Sequence, residues 1–186
     1  RMKASVIISV YKNIETLRIL LDSLRYQTEK DFEIIISEDG NSEIMAKFVE
    51  NYEWFCQYQH LSQEDLGWRK NRALNRAILS AKSEWLIFLD GDCFVHPHFV
   101  EMHLKFASSD RLLLGKRVAL SLELSQKMLK GTVKVNRFNR EIWKRLIIKL
   151  GCRHTDEGVY IPFCLDRPLR SVRHLIGCNM SFSKSA

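Results

Sequence analysis

The sequence has no long hydrophobic run: no segment reaches the roughly 18 uninterrupted apolar residues of a membrane-spanning helix. Any membrane contact is therefore expected to be peripheral. Arg1 to Tyr11 lacks the three-part pattern of a signal peptide. The five cysteines, Cys56, Cys93, Cys152, Cys164 and Cys178, are odd in number and scattered, which argues against a disulfide framework and for a reducing, cytoplasmic setting. No Gly-x-Gly-x-x-Gly follows a strand pattern and no Gly-x-x-x-x-Gly-Lys-Ser/Thr occurs, so the dinucleotide-binding and P-loop readings lack support. Internal repeats, low-complexity tracts and a clear linker are also missing, and 186 residues suffice for one well-buried domain.

What is present is an ordinary hydrophobic content of 46% and a net charge of +7. That charge implies an anionic partner, and alone it does not choose among nucleic acid, a membrane surface and a phosphorylated substrate.

Along the chain, β-branched and apolar runs alternate with helical patterns. Ser5–Tyr11, Phe32–Ser37 and the run Trp85–Leu89 read as buried strands, with Phe55–Leu61 a weaker one. Between them fall three amphipathic stretches: Ile14–Gln27; a segment capped by Ser42 with Met45, Phe48, Val49 and Tyr52 on one face; and the basic stretch Trp68–Lys82. This alternation predicts an α/β fold with a parallel, doubly wound sheet and right-handed crossovers. Further on, a helix from Pro97 to about Ala107, a strand over Leu112–Ser121, helices over Leu122–Lys130 and Phe138–Leu150, and a last strand in Leu175–Ser183 are expected.

The run Trp85–Leu89 stops on Asp90-Gly91-Asp92. Beyond a strand's carboxyl end, where open α/β sheets bind ligands, Gly91 would let the backbone turn so that both carboxylates face one point. Such hard oxygen ligands suit Mg²⁺ or Mn²⁺ and, through the metal, a phosphate-bearing substrate. A solvated Asp-Gly turn is the bland alternative. Glu38-Asp39-Gly40 ends another strand, and a carboxylate there could meet a nucleobase imide or a ribose hydroxyl. Gly67 opens the basic stretch, whose N-terminus and arginines, Arg69, Arg72 and Arg76, could neutralise a diphosphate; otherwise they form with Lys70 a solvated basic face. Asn75 is expected among inward-facing residues, with its amide partnered. Cys152, His154, Cys164, His174 and Cys178 match no compact zinc pattern, so free cysteines are expected. The helix over 138–150, with Arg140, Lys144, Arg145 and Lys149 beside Trp143, suits either an anionic membrane surface or packing on the domain.

Taken in order, the motifs resemble the inverting glycosyltransferases of family 2, most closely bacterial chondroitin-polymerase-like and surface-polysaccharide enzymes. They are Val6-Ile7-Ile8-Ser9-Val10-Tyr11, Leu24-Arg25-Tyr26-Gln27-Thr28, Asp31 to Gly40, Asn75-Arg76-Ala77-Ile78, Phe88-Leu89-Asp90-Gly91-Asp92, His96-Pro97 and Gly177-Cys178-Asn179-Met180-Ser181-Phe182. The resemblance implies a single GT-A domain, nucleotide-sugar-binding over 1–121, with 122–186 the incomplete start of an acceptor-side half. It implies that Ser9, Val10 and Tyr11 line a uridine pocket and that Asp39 binds the base. Gly67 and Asn75 would belong to the donor site, with Arg69, Arg72 or both near the diphosphate. The family's Ala-Arg-Asn reads Ala73-Leu74-Asn75 here, which leaves the arginine open. Asp90, Gly91 and Asp92 would hold the ribose and a Mn²⁺ or Mg²⁺. The implied partners are a UDP-sugar donor and a glycan or lipid-linked glycan acceptor, with no nucleic acid and peripheral membrane contact through 138–150. The catalytic base is expected beyond Ala186, so these residues should bind donor and turn over weakly; nothing around Asp156, Glu157 or Asp166 matches the family's base motif. Two rival readings stand beside this one. In a dehalogenase-type phosphatase, Asp90 would be the nucleophile and Asp92 the acid. A basic nucleic-acid-binding domain would explain the charge without explaining the two aspartates.

Overall fold

A computed structural model of the chain describes residues 2–135, 148–154 and 177–186. Six strands, β1 (Ala4–Val10), β2 (Phe32–Glu38), β3 (Tyr58–Leu61), β4 (Trp85–Asp90), β5 (Leu113–Leu114) and β6 (Met180–Ser183), form one sheet in the order β3-β2-β1-β4-β6-β5. The first four are parallel, whereas β6 runs antiparallel to β4 and to β5. The sheet is thus mostly parallel, as its βαβ alternation dictates, with β6 the one antiparallel strand among the described residues, set between β4 and the edge strand β5.

Among the described residues α1 (Ile14–Arg25), α2 (Glu43–Asn51), α3 (Lys70–Ser80) and α4 (Phe99–Lys105) pack on the sheet, and α5 (Leu122–Leu129) packs on α1. Alternate strand residues serve two cores, which is why β1, β2 and β4 read as unbroken apolar runs. On one face Val6, Ile8, Ile34, Ile36, Ile87 and Leu89 meet Leu17, Leu20, Leu21 and Leu24 of α1, Met45 and Val49 of α2, and Val100 of α4. On the other, Ile7, Ile35, Leu86 and Phe88 meet Ala77 of α3, Ala81 and the partly buried Phe182 of β6. Asn13 caps α1 by accepting from the Thr16 amide at 3.1 Å, and Ser42 caps α2 as expected, accepting from the Met45 amide at 3.3 Å.

Three expected elements are shorter than their patterns. The stretch Leu112–Ser121 pairs only at Leu113 and Leu114, then makes one isolated bridge between Ala119 and Arg153. The reason lies at Gly115: the Asn179 side chain fills the place a Cβ would take, and its amide donates to the Lys116 carbonyl at 2.9 Å. Gly115 still donates its amide to the Asn179 carbonyl at 2.8 Å, and the chain leaves the ladder after it. The basic stretch becomes helical only at Lys70, because Gly67 has a φ of +83° and the Arg69 amide is captured by Asp39. Pro97 does not open α4 and instead precedes its N-cap, His98; the Pro97 carbonyl accepts the Thr28 amide at 2.8 Å. Of the expected helix over 138–150, residues 138–147 lie outside the described residues, as do Asp156, Glu157, Cys164, Asp166 and His174. No described helix is long and apolar enough to cross a membrane.

Candidate active site

Parallel register brings three strand ends to one edge. Val10 lies opposite Glu38, and Ser9 opposite Asp90, so Asp39 and Asp90 stand on either side of the end of β1. A cavity of about 510 Å³ opens there, lined by Ser9, Val10, Tyr11, Asn13, Thr16, Asp39, Asp65, Gly67, Trp68, Lys70 and the Asp90-Gly91-Asp92 turn.

The turn is held tightly against β1. The Gly91 amide donates to the Ser9 carbonyl at 2.7 Å, and a Cβ on Gly91 would come within 3.1 Å of that oxygen and of Val10 Cγ2. Glycine is needed for this close approach; its φ is not in the left-handed region, so the turning freedom expected from the sequence is not the cause. Asp90 pairs with Lys70 from α3, Nζ to Oδ1 at 2.5 Å, with the two side chains 31% and 27% exposed. Asp92 is exposed, and the Cys93 thiol lies 3.8 Å from its Oδ1.

Asp39 is only 8% exposed and organises the opposite wall. Its Oδ2 accepts from the Arg69 amide at 2.9 Å and its Oδ1 from Gln63 Nε2 at 2.7 Å. The Gln63 amide donates to the Gly40 carbonyl at 2.9 Å, and Arg69 Nη2 reaches the Glu64 carbonyl at 2.5 Å. Arg76 donates to the Ser62 carbonyl. Residues 62–69 therefore form a strap fastened at both ends. Asp65 ties it to β1, accepting from the Tyr11 hydroxyl at 3.1 Å and pairing with Lys12 Nζ at 2.7 Å. The Lys12 contact, followed by Tyr11, holds the Asp65 carboxyl below its usual range.

Eight of the residues expected at the site do line the cavity: Ser9, Val10, Tyr11, Asp39, Gly67, Asp90, Gly91 and Asp92. Arg69, Arg72 and Asn75 do not. Arg69 turns back to its own strap, and Arg72 and Asn75 are exposed on α3. Asn75 is not inward-facing because Ala73 and Ala77 take the buried stripe. The sequence reading missed Lys70 in favour of its arginine neighbours, and it missed Asp65 and Trp68, the latter 88% exposed at the rim. Nothing local marks these three, since strap and helix meet the sheet edge only once the fold is formed.

The described cysteines are free, as expected. Cys152 Sγ accepts from the Ser121 amide at 3.3 Å. Cys178 hydrogen-bonds the Cys93 thiol and accepts from Arg117 Nη1 at 3.5 Å; these contacts, Cys93 first, lower its pKa below that of an ordinary thiol. Among the described residues no three His, Cys, Asp or Glu converge on a metal position. Asp90 and Asp92 still fit a divalent cation, because Mg²⁺-like ions commonly take one or two carboxylates and complete their shell with phosphate oxygens and water.

A mostly parallel sheet with one antiparallel strand and an acidic edge is the GT-A arrangement of nucleotide-sugar transferases. The profile of "Glycosyl transferase family 2" matches residues 5–186, and the chain belongs to that family. It is 28% identical over 130 residues to a putative glycosyltransferase, EpsH, of Bacillus subtilis, covering 69% of this chain and 37% of that protein. It is 28% identical over 116 residues to a chondroitin synthase of Escherichia coli, covering 61% and 17%. Among solved structures, S. aureus TarS 1-349 in complex with UDP superposes with a TM-score of 0.51 at 25% identity, covering 62% of this chain and 35% of that one. The chain thus spans little more than a third, or less, of the length of these relatives. Family membership takes the place of the phosphatase reading of Asp90 and Asp92.

Proposed function

We propose that these residues form the donor-binding part of an enzyme that moves a sugar from a UDP-sugar to a glycan or lipid-linked glycan, with inversion and with Mn²⁺ or Mg²⁺. The observation that carries this reading is the convergence of Asp39, Asp90 and Asp92 on one 510 Å³ cavity at the carboxyl edge of the sheet. TarS, bound to UDP, supports the nucleotide, and the chondroitin synthase supports a glycan acceptor.

The uracil would lie by Ser9, Val10 and Tyr11. Asp39 meets its imide, since a carboxylate offers about four acceptor positions and the strap uses two. Asp90 and Asp92 hold the divalent ion, which when bound neutralises charge developing on the departing diphosphate. Lys70 faces the same diphosphate, in the place first given to Arg69 and Arg72. The acceptor hydroxyl attacks the anomeric carbon on the side opposite UDP, and a base removes its proton. No base is assigned among the described residues.

Titration with UDP, with and without Mn²⁺, tests the reading. Binding is expected to be metal-dependent and lost in Asp92→Asn; equal UDP affinity in both proteins, or none in either, overturns it.

A further inference from the structure

The proposed metal ligand Asp90 is already neutralised by the protein itself. Lys70 Nζ stands 2.5 Å from its Oδ1, and both side chains line the cavity. Lys70 is the first residue of α3, whose N-cap, Arg69, makes no side-chain capping bond. A cation at a helix N-terminus is opposed by the helix dipole. Asp90 offsets that opposition and is the partner of the ammonium among the described residues. Among the described residues Asp92 has no ion-pair partner, and the Cys93 thiol lies 3.8 Å from its Oδ1. One ligand of the pair is therefore occupied and the other open.

We infer that Lys70 is an exchangeable counter-ion that makes metal and nucleotide bind cooperatively. The inference rests on the reading that Asp90 and Asp92 hold the metal. A divalent cation arriving alone must displace the Lys70 ammonium from Asp90 and leave it without that partner beside a helix N-terminus. When a nucleoside diphosphate enters with the metal, the released ammonium has the diphosphate to pair with. The same side chain thus weakens metal binding in the empty site and strengthens it in the filled one. Coupling of this kind is reciprocal, so metal must raise nucleotide affinity by the factor by which nucleotide raises metal affinity. Lys70 is a positioning residue in this scheme, and its signature lies in binding, separate from turnover.

The test is a Mn²⁺ titration of the 186-residue chain, read from the free-ion electron paramagnetic resonance signal, with and without UDP. In Lys70→Met, Mn²⁺ alone is expected to bind about fivefold tighter, the worth of one partly exposed ion pair. The enhancement of Mn²⁺ affinity by UDP should fall at the same time. Lys70→Arg, which keeps the charge, should retain weak Mn²⁺ binding. Lys47→Met on the exposed face of α2 lowers net charge equally and should change neither titration. A thermal melt confirms that each variant is folded. Unchanged or weaker Mn²⁺ binding in Lys70→Met, with UDP-dependent metal binding intact in the native chain, overturns the role of Lys70 and leaves the site standing. Binding of neither Mn²⁺ nor UDP by the native chain removes the site and this role together.

Discussion

His103 is buried on α4 at 8% exposure, and its two ring nitrogens are differently used. Nε2 lies 3.0 Å from Asn179 Oδ1 and Nδ1 lies 2.7 Å from Ser181 Oγ. Because Asn179 Nδ2 donates to the Lys116 carbonyl, its Oδ1 must accept, which puts the imidazole proton on Nε2. Nδ1 then accepts from the Ser181 hydroxyl, and the neutral ring has every hydrogen-bonding atom satisfied. Burial lowers the pKa of His103 from 6.5 to about 4, with the Asn179 bond opposing part of the shift. Between those values the unfolded chain binds a proton that the folded one refuses. The resulting stability is full above pH 6.5 and is lost as pH falls toward 4, by on the order of 3 kcal/mol. Urea midpoints measured from pH 7 to pH 4 should fall, and His103→Gln, which cannot titrate, should flatten the slope in that window.

At the scale of elements, the segment leaving the acidic turn is tied to α1 by the Ser23 hydroxyl, which accepts from the Val95 amide at 3.1 Å, and by one buried side-chain amide. Gln27, just past the end of α1, is 1% exposed; its Nε2 donates to the His96 carbonyl at 2.8 Å and its Oε1 accepts from the Val100 amide at 2.9 Å. Gln27→Leu keeps the volume and strands the Val100 amide, while the His96 carbonyl keeps the Phe99 amide at 2.9 Å, so a loss of about 1–2 kcal/mol is expected in urea unfolding. Gln27 shows which parts of this molecule were legible beforehand. Leu17, Leu20, Leu21 and Leu24 announce α1 by spacing alone, and Ile34-Ile35-Ile36 announces a strand covered on both faces, because those patterns depend only on local periodicity. The order of the motifs also brought Asp39, Asp90 and Asp92 together, since parallel strands must end at the same edge. The early end of β5 was not legible, because Asn179, distant in sequence, supplies the side chain that excludes a Cβ at Gly115. Lys70 was not separable from Arg69 and Arg72 for a similar reason: helix phase, and the capture of the Arg69 amide by Asp39, decide which cation faces β4.

Across the whole molecule, the cavity is closed by pieces that only the folded chain assembles: the ends of β1, β2 and β4, the strap over 62–69 and the start of α3. A ligand spanning Asp39 and Asp90 therefore binds the native state and has no comparable site on the unfolded chain. UDP with Mn²⁺ at about 100 times the dissociation constant should add about 2.7 kcal/mol to stability. For a chain of 186 residues that is a rise of about 5–11 °C in melting temperature. Asp92→Asn should remove the part of the rise that requires Mn²⁺. The opposite end of β4 offers the contrast: Glu84 accepts from the Ser183 and Ser185 hydroxyls and from the Ser185 amide, contacts that lower its pKa to about 2 and fasten β6 away from the cavity. Glu84→Gln should lower the melting temperature of the ligand-free chain and leave the ligand-induced rise unchanged, because effects at distant sites without shared partners add. Scanning fluorimetry of the native chain and both variants, with and without UDP and Mn²⁺, measures all of these. A rise that shrinks in Glu84→Gln as much as in Asp92→Asn would mean that the ligand senses global stability, and binding at the carboxyl edge of the sheet would lose its support.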